Sequence, residues 1–159
     1  MAFIGNIIWF ILGGWLIGLL YLLGAVILFP LLPFLLPMVG YSFWPFGRRP
    51  VSKKAIVAYK KANGMEDENE DKFKNASGTI KFIANVLWIP FGLILALTHI
   101  LAGLINFAGC LLIITIPICL PNTIAHFKLV RVALAPFGVR LIQTDLADDI
   151  LKARAKAML

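Results

Sequence analysis

The sequence predicts an all-α integral membrane protein. Two helical hairpins form parallel repeats with about four membrane segments, and short cytoplasmic helices complete the chain. Three observations predict this. The 159-residue chain is 60% hydrophobic and 14% charged, with a mean hydropathy of +0.89, whereas soluble domains carry about 25% charged residues. The charges are segregated: none lies between Ala2 and Gly47, and between Phe82 and Phe127 the only basic groups are the weak bases His99 and His126. A phrase also recurs after each apolar block: Pro45-Phe46-Gly47 and Pro136-Phe137-Gly138, each followed two residues later by arginine, Arg49 and Arg140.

A helix crosses the hydrocarbon in about 20 residues, so each uncharged block is long enough to cross twice. The N-terminal block carries no Lys or Arg at its start and stays apolar too long for a secretory signal, which has a basic start and about 7–15 apolar residues. Arg48–Lys81 holds nine basic and five acidic residues, and His126–Leu159 six and three. Both non-membrane segments are therefore basic, and excess Lys and Arg marks cytoplasmic loops. With both on one side, each block enters and returns, and both termini are cytoplasmic.

The segments follow in order. Residues 1–47 form the first membrane hairpin, with an outward helix from about Ile4 to Leu28 and a return carrying Pro30, Pro33 and Pro37. Prolines remove helical hydrogen bonds, so the returns are expected to be broken or re-entrant. Residues 48–79 form a charged linker. In it a short basic helix starts at Ser52 and stops at Gly64, followed by a solvated acidic loop, Glu66–Asp71. Residues 80–142 form the second hairpin: an outward helix from about Phe82 to Phe107, a return carrying Pro117 and Pro121, and a basic amphipathic interfacial helix within Ala125–Gly138 that leads into the second Pro-Phe-Gly. Residues 143–159 form a C-terminal helix with Thr144 as N-cap. Its acidic residues come early and its basic residues late, as the helix dipole favours. Its narrow stripe of Leu146, Ile150, Ala153 and Ala157 is expected to dock on the cytoplasmic layer or on a neighbouring subunit.

The two blocks align. At an offset of 79, Asn6, Trp9, Gly13 and Gly24 meet Asn85, Trp88, Gly92 and Gly103; at an offset of 91 the two Pro-Phe-Gly phrases and the arginines after them coincide. The second half thus holds 12 more residues between helix and corner. Both units make an even number of passes, so they are parallel repeats about an axis along the membrane normal. Each Pro-Phe-Gly is read as a membrane-exit corner, with Trp44, Phe46 and Phe137 at headgroup level and Arg48, Arg49, Lys128, Arg131 and Arg140 among lipid phosphates.

The chain resembles the YccF domain family of bacterial inner-membrane proteins. The resemblance rests on the Asn-x-x-Trp-x-x-x-Gly openings at Asn6–Gly13 and Asn85–Gly92, and on Ile116–Gly138 with Pro117, Phe127-Lys128 and Pro136-Phe137-Gly138. It covers nearly the whole chain apart from the acidic linker and last helix. The first repeat departs from it by lacking a Phe-Lys stretch before Pro45. The resemblance implies a bacterial inner-membrane location and no settled activity.

The second outward helix presents Asn85, Gly92, His99 and Asn106 every seven residues, with Ala96 and Gly103 between them. A small-and-polar stripe of this period lets helices approach closely and hydrogen-bond, and it is expected to line a pore or to pack helices. His99 is titratable at membrane depth, which makes it a candidate functional group; its alternative role is one interhelical hydrogen bond. Cys110 and Cys119 read as small apolar fillers. The sequence carries no catalytic set, no metal-ligand spacing and no phosphate loop, and no basic patch suited to nucleic acid. The expectation is a protein without enzyme activity, cofactor or metal, in contact with the bilayer and with anionic lipids. It is either a homo-oligomeric channel or permeation pathway, or a structural or regulatory subunit binding anionic lipid or an unidentified partner. A secondary transporter is disfavoured, because no carboxylate lies at membrane depth for ion coupling.

Overall fold

The computed structural model describes residues 2–65 and 70–157, the side chains of 70–77 and 79 excepted. The first span consists of α1 (Ala2–Trp9) and α2 (Trp15–Ile27), joined by a π-helical turn at Phe10–Gly14. The turn depends on two glycines. Gly13 has φ 114, a rotation that a Cβ disfavours, and a Cβ on Gly14 would occupy the place of the Trp9 indole. A 3₁₀ turn at Phe29–Leu31 reverses the chain into α3 (Leu32–Phe43), which packs back along α2. Pro33 stands in the first turn of α3, where its missing N–H costs nothing, and Pro37 lies inside it. Strand β1 (Arg48–Ser52) and helix α4 (Lys53–Ala62) follow. Ser52 caps α4 by accepting from Ala55 N at 3.1 Å, and Gly64, at φ 65, ends the segment; both match the sequence reading.

Helix α5 (Glu70–Gly109) runs for 40 residues, about 60 Å. It starts 12 residues before the expected Phe82, because hydropathy marks only the part inside the bilayer while the polar part before it continues the same helix. Residues 66–69, within the expected acidic loop, lie outside the described residues. A tip containing the exposed Leu111, Ile113 and Ile114 leads to α6 (Ile116–Leu134). Here the structure corrects the sequence reading: the Pro-bearing return and the interfacial helix are one continuous helix. Pro117 sits in its first turn and Pro121 within it. Its inward face carries Ala125, His126, Leu129, Val132 and Ala133, while Phe127 and Leu134 are exposed. Strand β2 (Val139–Gln143) and α7 (Thr144–Lys156) complete the chain.

Among the described residues, three stretches are long and apolar enough to cross a membrane: Ala2–Ile27, Ile80–Gly109 and Ile113–Leu134; Phe29–Phe43 is a shorter apolar helix. The fold is mostly helical, but the all-α expectation needs amending. Strands β1 and β2 pair antiparallel, Arg48 with Gln143 and Ser52 with Val139, centred on Pro50 and Leu141. Two five-residue strands following the corners gave no sequence signal against the basic and apolar runs around them.

The core splits in two. The larger part, among the spans, gathers Trp9, Tyr21, Leu35, Trp88, Leu129 and their neighbours. The smaller part joins Val51, Ala55, Ala147 and Ile150, where α4 and α7 pack beside the ribbon. So α7 does dock on its own charged layer, but through Ala147 and Ile150, with Leu146 exposed. The helix cap also shifts by one. Gln143 occupies the N-cap position without a side-chain bond, and the Thr144 N–H donates to Gly47 O at 3.3 Å.

Candidate functional site

The predicted small-and-polar stripe lies along the seam where α5 meets α6. Gly92, Ala96, His99 and Gly103 are buried there, and Asn85 and Asn106 are half-buried. Gly92 faces the Ala133 carbonyl and Gly103 faces the His126 side chain, with no room for more than a hydrogen at Gly92. The Trp88 indole closes the seam by donating to Ala133 O at 2.7 Å. Asn106 does not cross to another helix; its Nδ2 donates to Ala102 O at 2.9 Å on its own helix.

At the centre of the seam His99 makes two bonds rather than one. Its Nε2 lies 3.2 Å from Tyr21 Oη, and its Nδ1 lies 3.1 Å from His126 Nδ1. The Tyr21 hydroxyl donates to Leu129 O at 3.3 Å. These partners fix the tautomers by donor and acceptor capacity. With its proton committed to Leu129, the Tyr21 oxygen accepts from His99 Nε2–H. His99 Nδ1 is then an acceptor, so His126 Nδ1 carries a proton. The chain His126 to His99 to Tyr21 ends on a backbone carbonyl, which only accepts. It tolerates one added proton, on His126 Nε2; a second, on His99 Nδ1, would set two N–H groups face to face. The His126 ring also packs on Trp9, with centroids 4.7 Å apart, tying α1 to α6.

Tyr21 and His126 escaped the sequence reading. Tyr21 was a hydroxyl inside a charge-free block, where hydroxyls are a signal worth following. His126 lies on the part of α6 expected as an interfacial helix, which continues the membrane-capable stretch Ile113–Leu134. Thr123, also buried on α6, leaves its hydroxyl without a partner among the described residues.

The two corners are built alike in one respect and differently in another. Asn6 Oδ1 accepts from Phe46 N at 2.9 Å, and Asn85 Oδ1 accepts from Phe137 N at 3.4 Å. Trp9 Nε1 donates to Ser42 O at 2.9 Å, as Trp88 does to Ala133 O. Thus α1, and α5 near the start of its membrane-capable part, are each bound to the corner where the chain comes back. The glycines differ. Gly47 has φ 90, whereas Gly138 ends a 3₁₀ turn without positive φ. Gly47→Ala should therefore cost about 1–2 kcal/mol and Gly138→Ala less than about 0.5 kcal/mol, read from thermal unfolding in detergent. Equal losses would mean that the corners do not differ in this way. Trp44 is exposed, as a headgroup-level aromatic would be, but Phe137 is not: with Pro136 it is buried, packed in the larger core.

The predicted headgroup cations separate into two groups. Arg49 turns inward to an ion pair with Asp148, and the Lys128 charge interacts with both. Arg48, Arg131 and Arg140 are exposed. Arg48 and Arg140 join Lys53 and Lys81 around a cleft of about 660 Å³ between α3 and α5, floored by Pro136–Leu141. Burial, and then the Lys81 and Arg140 charges, hold the Lys53 ammonium below the usual lysine range. No carboxylate lines the cleft among the described residues. Those residues also offer no group of three or more His, Cys, Asp or Glu side chains that would hold a metal.

Comparison with known proteins places the chain. The family model described as YccF, inner membrane component domain, matches residues 83–139. Inner membrane protein YccF of Escherichia coli (strain K12) is 33% identical over 156 residues, covering 95% of this chain and 94% of that protein. The chain belongs to the YccF family. The YccF protein of Shigella flexneri is similar to the same extent, and no solved structure matches. The YccF match spans the α5–α6 seam from Ile83 to the second corner and ends on Val139. The three membrane-capable helices agree with a multi-pass protein of the inner membrane, the location named for both YccF relatives.

Proposed function

We propose that this protein is a structural or regulatory subunit of the inner membrane whose basic layer binds anionic lipid, without enzyme or transport activity. The layer is cytoplasmic, as are both termini, in line with the surplus of Lys and Arg on both segments. The observation that carries the reading is the use already made of the membrane polar groups. The stripe from Asn85 to Asn106 is occupied by packing within one chain, whereas the exposed cations lie at the layer. The architecture beneath it is two copies of one hairpin unit. Its support is that Asn6 and Asn85 make matching bonds, and that Ser42 and Ala133, the two carbonyls bound by tryptophan, are 91 residues apart, as the corners are. The β1–β2 register fits the same relation, since its central pair, Pro50 and Leu141, is also 91 apart. An approximate two-fold axis through that pair exchanges the halves.

Extracting the protein from its membrane in polymer discs tests the reading. Phosphatidylglycerol and cardiolipin should be enriched around it relative to the whole membrane. A disc lipid composition equal to that of the bulk membrane would end the reading.

A homo-oligomeric channel or permeation pathway is the second reading, favoured by one observation: three hydrogen-bonded protonatable side chains, Tyr21, His99 and His126, buried among the spans. Proteoliposomes that carry proton or ion flux, lost in His99→Leu with assembly intact, would establish it.

A further inference from the structure

We propose that the cleft between α3 and α5 is a site for one anionic phospholipid, its phosphate held by Arg48, Lys53, Lys81 and Arg140 and one acyl chain lying along Phe34, Met38, Ile80 and Ala84. This rests on the reading of an anionic-lipid subunit and gives it a defined place.

Three features of the cleft agree on this occupant. Its volume, about 660 Å³, lies within the range of ligand sites, about 300–1,000 Å³. Its polarity is graded along one direction. The cations come from β1, the start of α4, the start of the membrane-capable part of α5, and β2, all at the charged layer. The apolar wall comes from α3, a shorter apolar helix, and from α5, which is long and apolar enough to cross a membrane. A phospholipid has this gradient, with an anionic head at the interface and a tail in the hydrocarbon. A soluble anion would leave the apolar wall bare, and a neutral lipid would offer nothing to the exposed Arg48 and Arg140.

Charge complementarity selects the head. Four cations and no carboxylate line the cleft among the described residues. Burial first, and then the Lys81 and Arg140 charges, hold the Lys53 ammonium below its usual range, and an anion between these cations would ease the second of these causes. Basic pockets beside membrane helices on the cytoplasmic side recognise anionic headgroups by this chemistry.

Two other occupants are conceivable by charge or shape: the acidic run Glu66–Asp71 of the same chain, and a helix of a second copy. The experiment separates them. Purified full-length protein in mild detergent is titrated with phosphatidylglycerol, or with phosphatidylcholine, and the bound lipids are counted by native mass spectrometry. One phosphatidylglycerol should be retained per chain, with phosphatidylcholine at least about tenfold weaker. R48Q/R140Q should weaken the phosphatidylglycerol by at least about tenfold, while K152Q/R154Q on α7 leaves it unchanged. Ile80→Trp narrows the tail groove at an exposed position with every cation in place, and should also release the lipid. Undiminished retention in either R48Q/R140Q or Ile80→Trp would overturn the site. So would retention appearing only after residues 66–71 are neutralised, or a dimer replacing the lipid. If anionic lipids are enriched in polymer discs but R48Q/R140Q changes nothing, the cleft is wrong and the broader reading stands. If no enrichment occurs at all, the broader reading fails first.

Discussion

Gly92→Val is expected to destabilise the protein by roughly 2–4 kcal/mol, the sum of an overpacking cost of about 1–3 kcal/mol and a lost hydrogen bond of about 1 kcal/mol. A Cβ on Gly92 would meet the Ala133 carbonyl oxygen, which belongs to the α6 backbone and cannot swing away. The Trp88 indole is also within 3.0 Å of that position, so the substitution presses on the group that holds the seam closed. Relief requires α5 and α6 to separate, which breaks the 2.7 Å bond from Trp88 to Ala133. In a bilayer, helices gain little from hydrophobic burial against one another, so close backbone approach and interhelical bonds carry the association. Gly40 is the control. It lies on α3, where an added Cβ would meet nothing within 4 Å, so Gly40→Ala should be neutral or gain a few tenths of a kcal/mol from helix propensity. Equal thermal unfolding of the two variants would contradict this account of the seam.

The second large effect is expected at His99. His99→Leu deletes the group that accepts from His126 and donates to Tyr21. Tyr21 keeps Leu129 as an acceptor, but His126 Nδ1–H is left buried without its partner, at a cost of about 1–3 kcal/mol. Removing His126 as well should recover part of this loss, because the orphaned donor disappears with it. A double-mutant cycle on His99→Leu and His126→Leu should therefore show a coupling of about 1–2 kcal/mol. Additive losses would mean that the two rings do not share a bond. The same variants weigh the two functional readings: the lipid-binding subunit loses stability with no flux to lose, while a permeation pathway loses flux with assembly preserved.

Much of this was legible in the sequence, for identifiable reasons. The membrane class followed from uncharged blocks that no small soluble domain would tolerate. The seven-residue spacing of small and polar side chains on α5 marked a stripe that lines a pore or packs helices, without saying which helix it meets. Pro-Phe-Gly marked two turns, since its residues constrain backbone without tertiary help, but not that Phe137 is buried. The parts that escaped depend on contacts between distant segments. Tyr21 and His126 lie 78 and 27 residues from His99, and no local pattern announces that they meet. The ribbon of β1 and β2 exists because two corners stand side by side, and five residues of mixed polarity such as Arg48–Ser52 carry no period of their own. The extent of α6 was hidden by proline: Pro117 falls in the first turn, where a helix accommodates it, but Pro121 lies inside the helix, where proline ordinarily signals a break.

The account turns on one geometric claim, that both charged segments form a single layer on the cytoplasmic side. Single cysteines at Ala62 on α4, Ala155 on α7 and Ile114 at the tip, with Cys110 and Cys119 replaced by alanine, test it directly. Membrane-impermeant maleimide is applied to right-side-out and inside-out vesicles. The account predicts that positions 62 and 155 label only from the cytoplasmic face and position 114 only from the opposite one. Labelling of 62 and 155 from opposite faces would contradict it, since the strands that join those helices could not then pair.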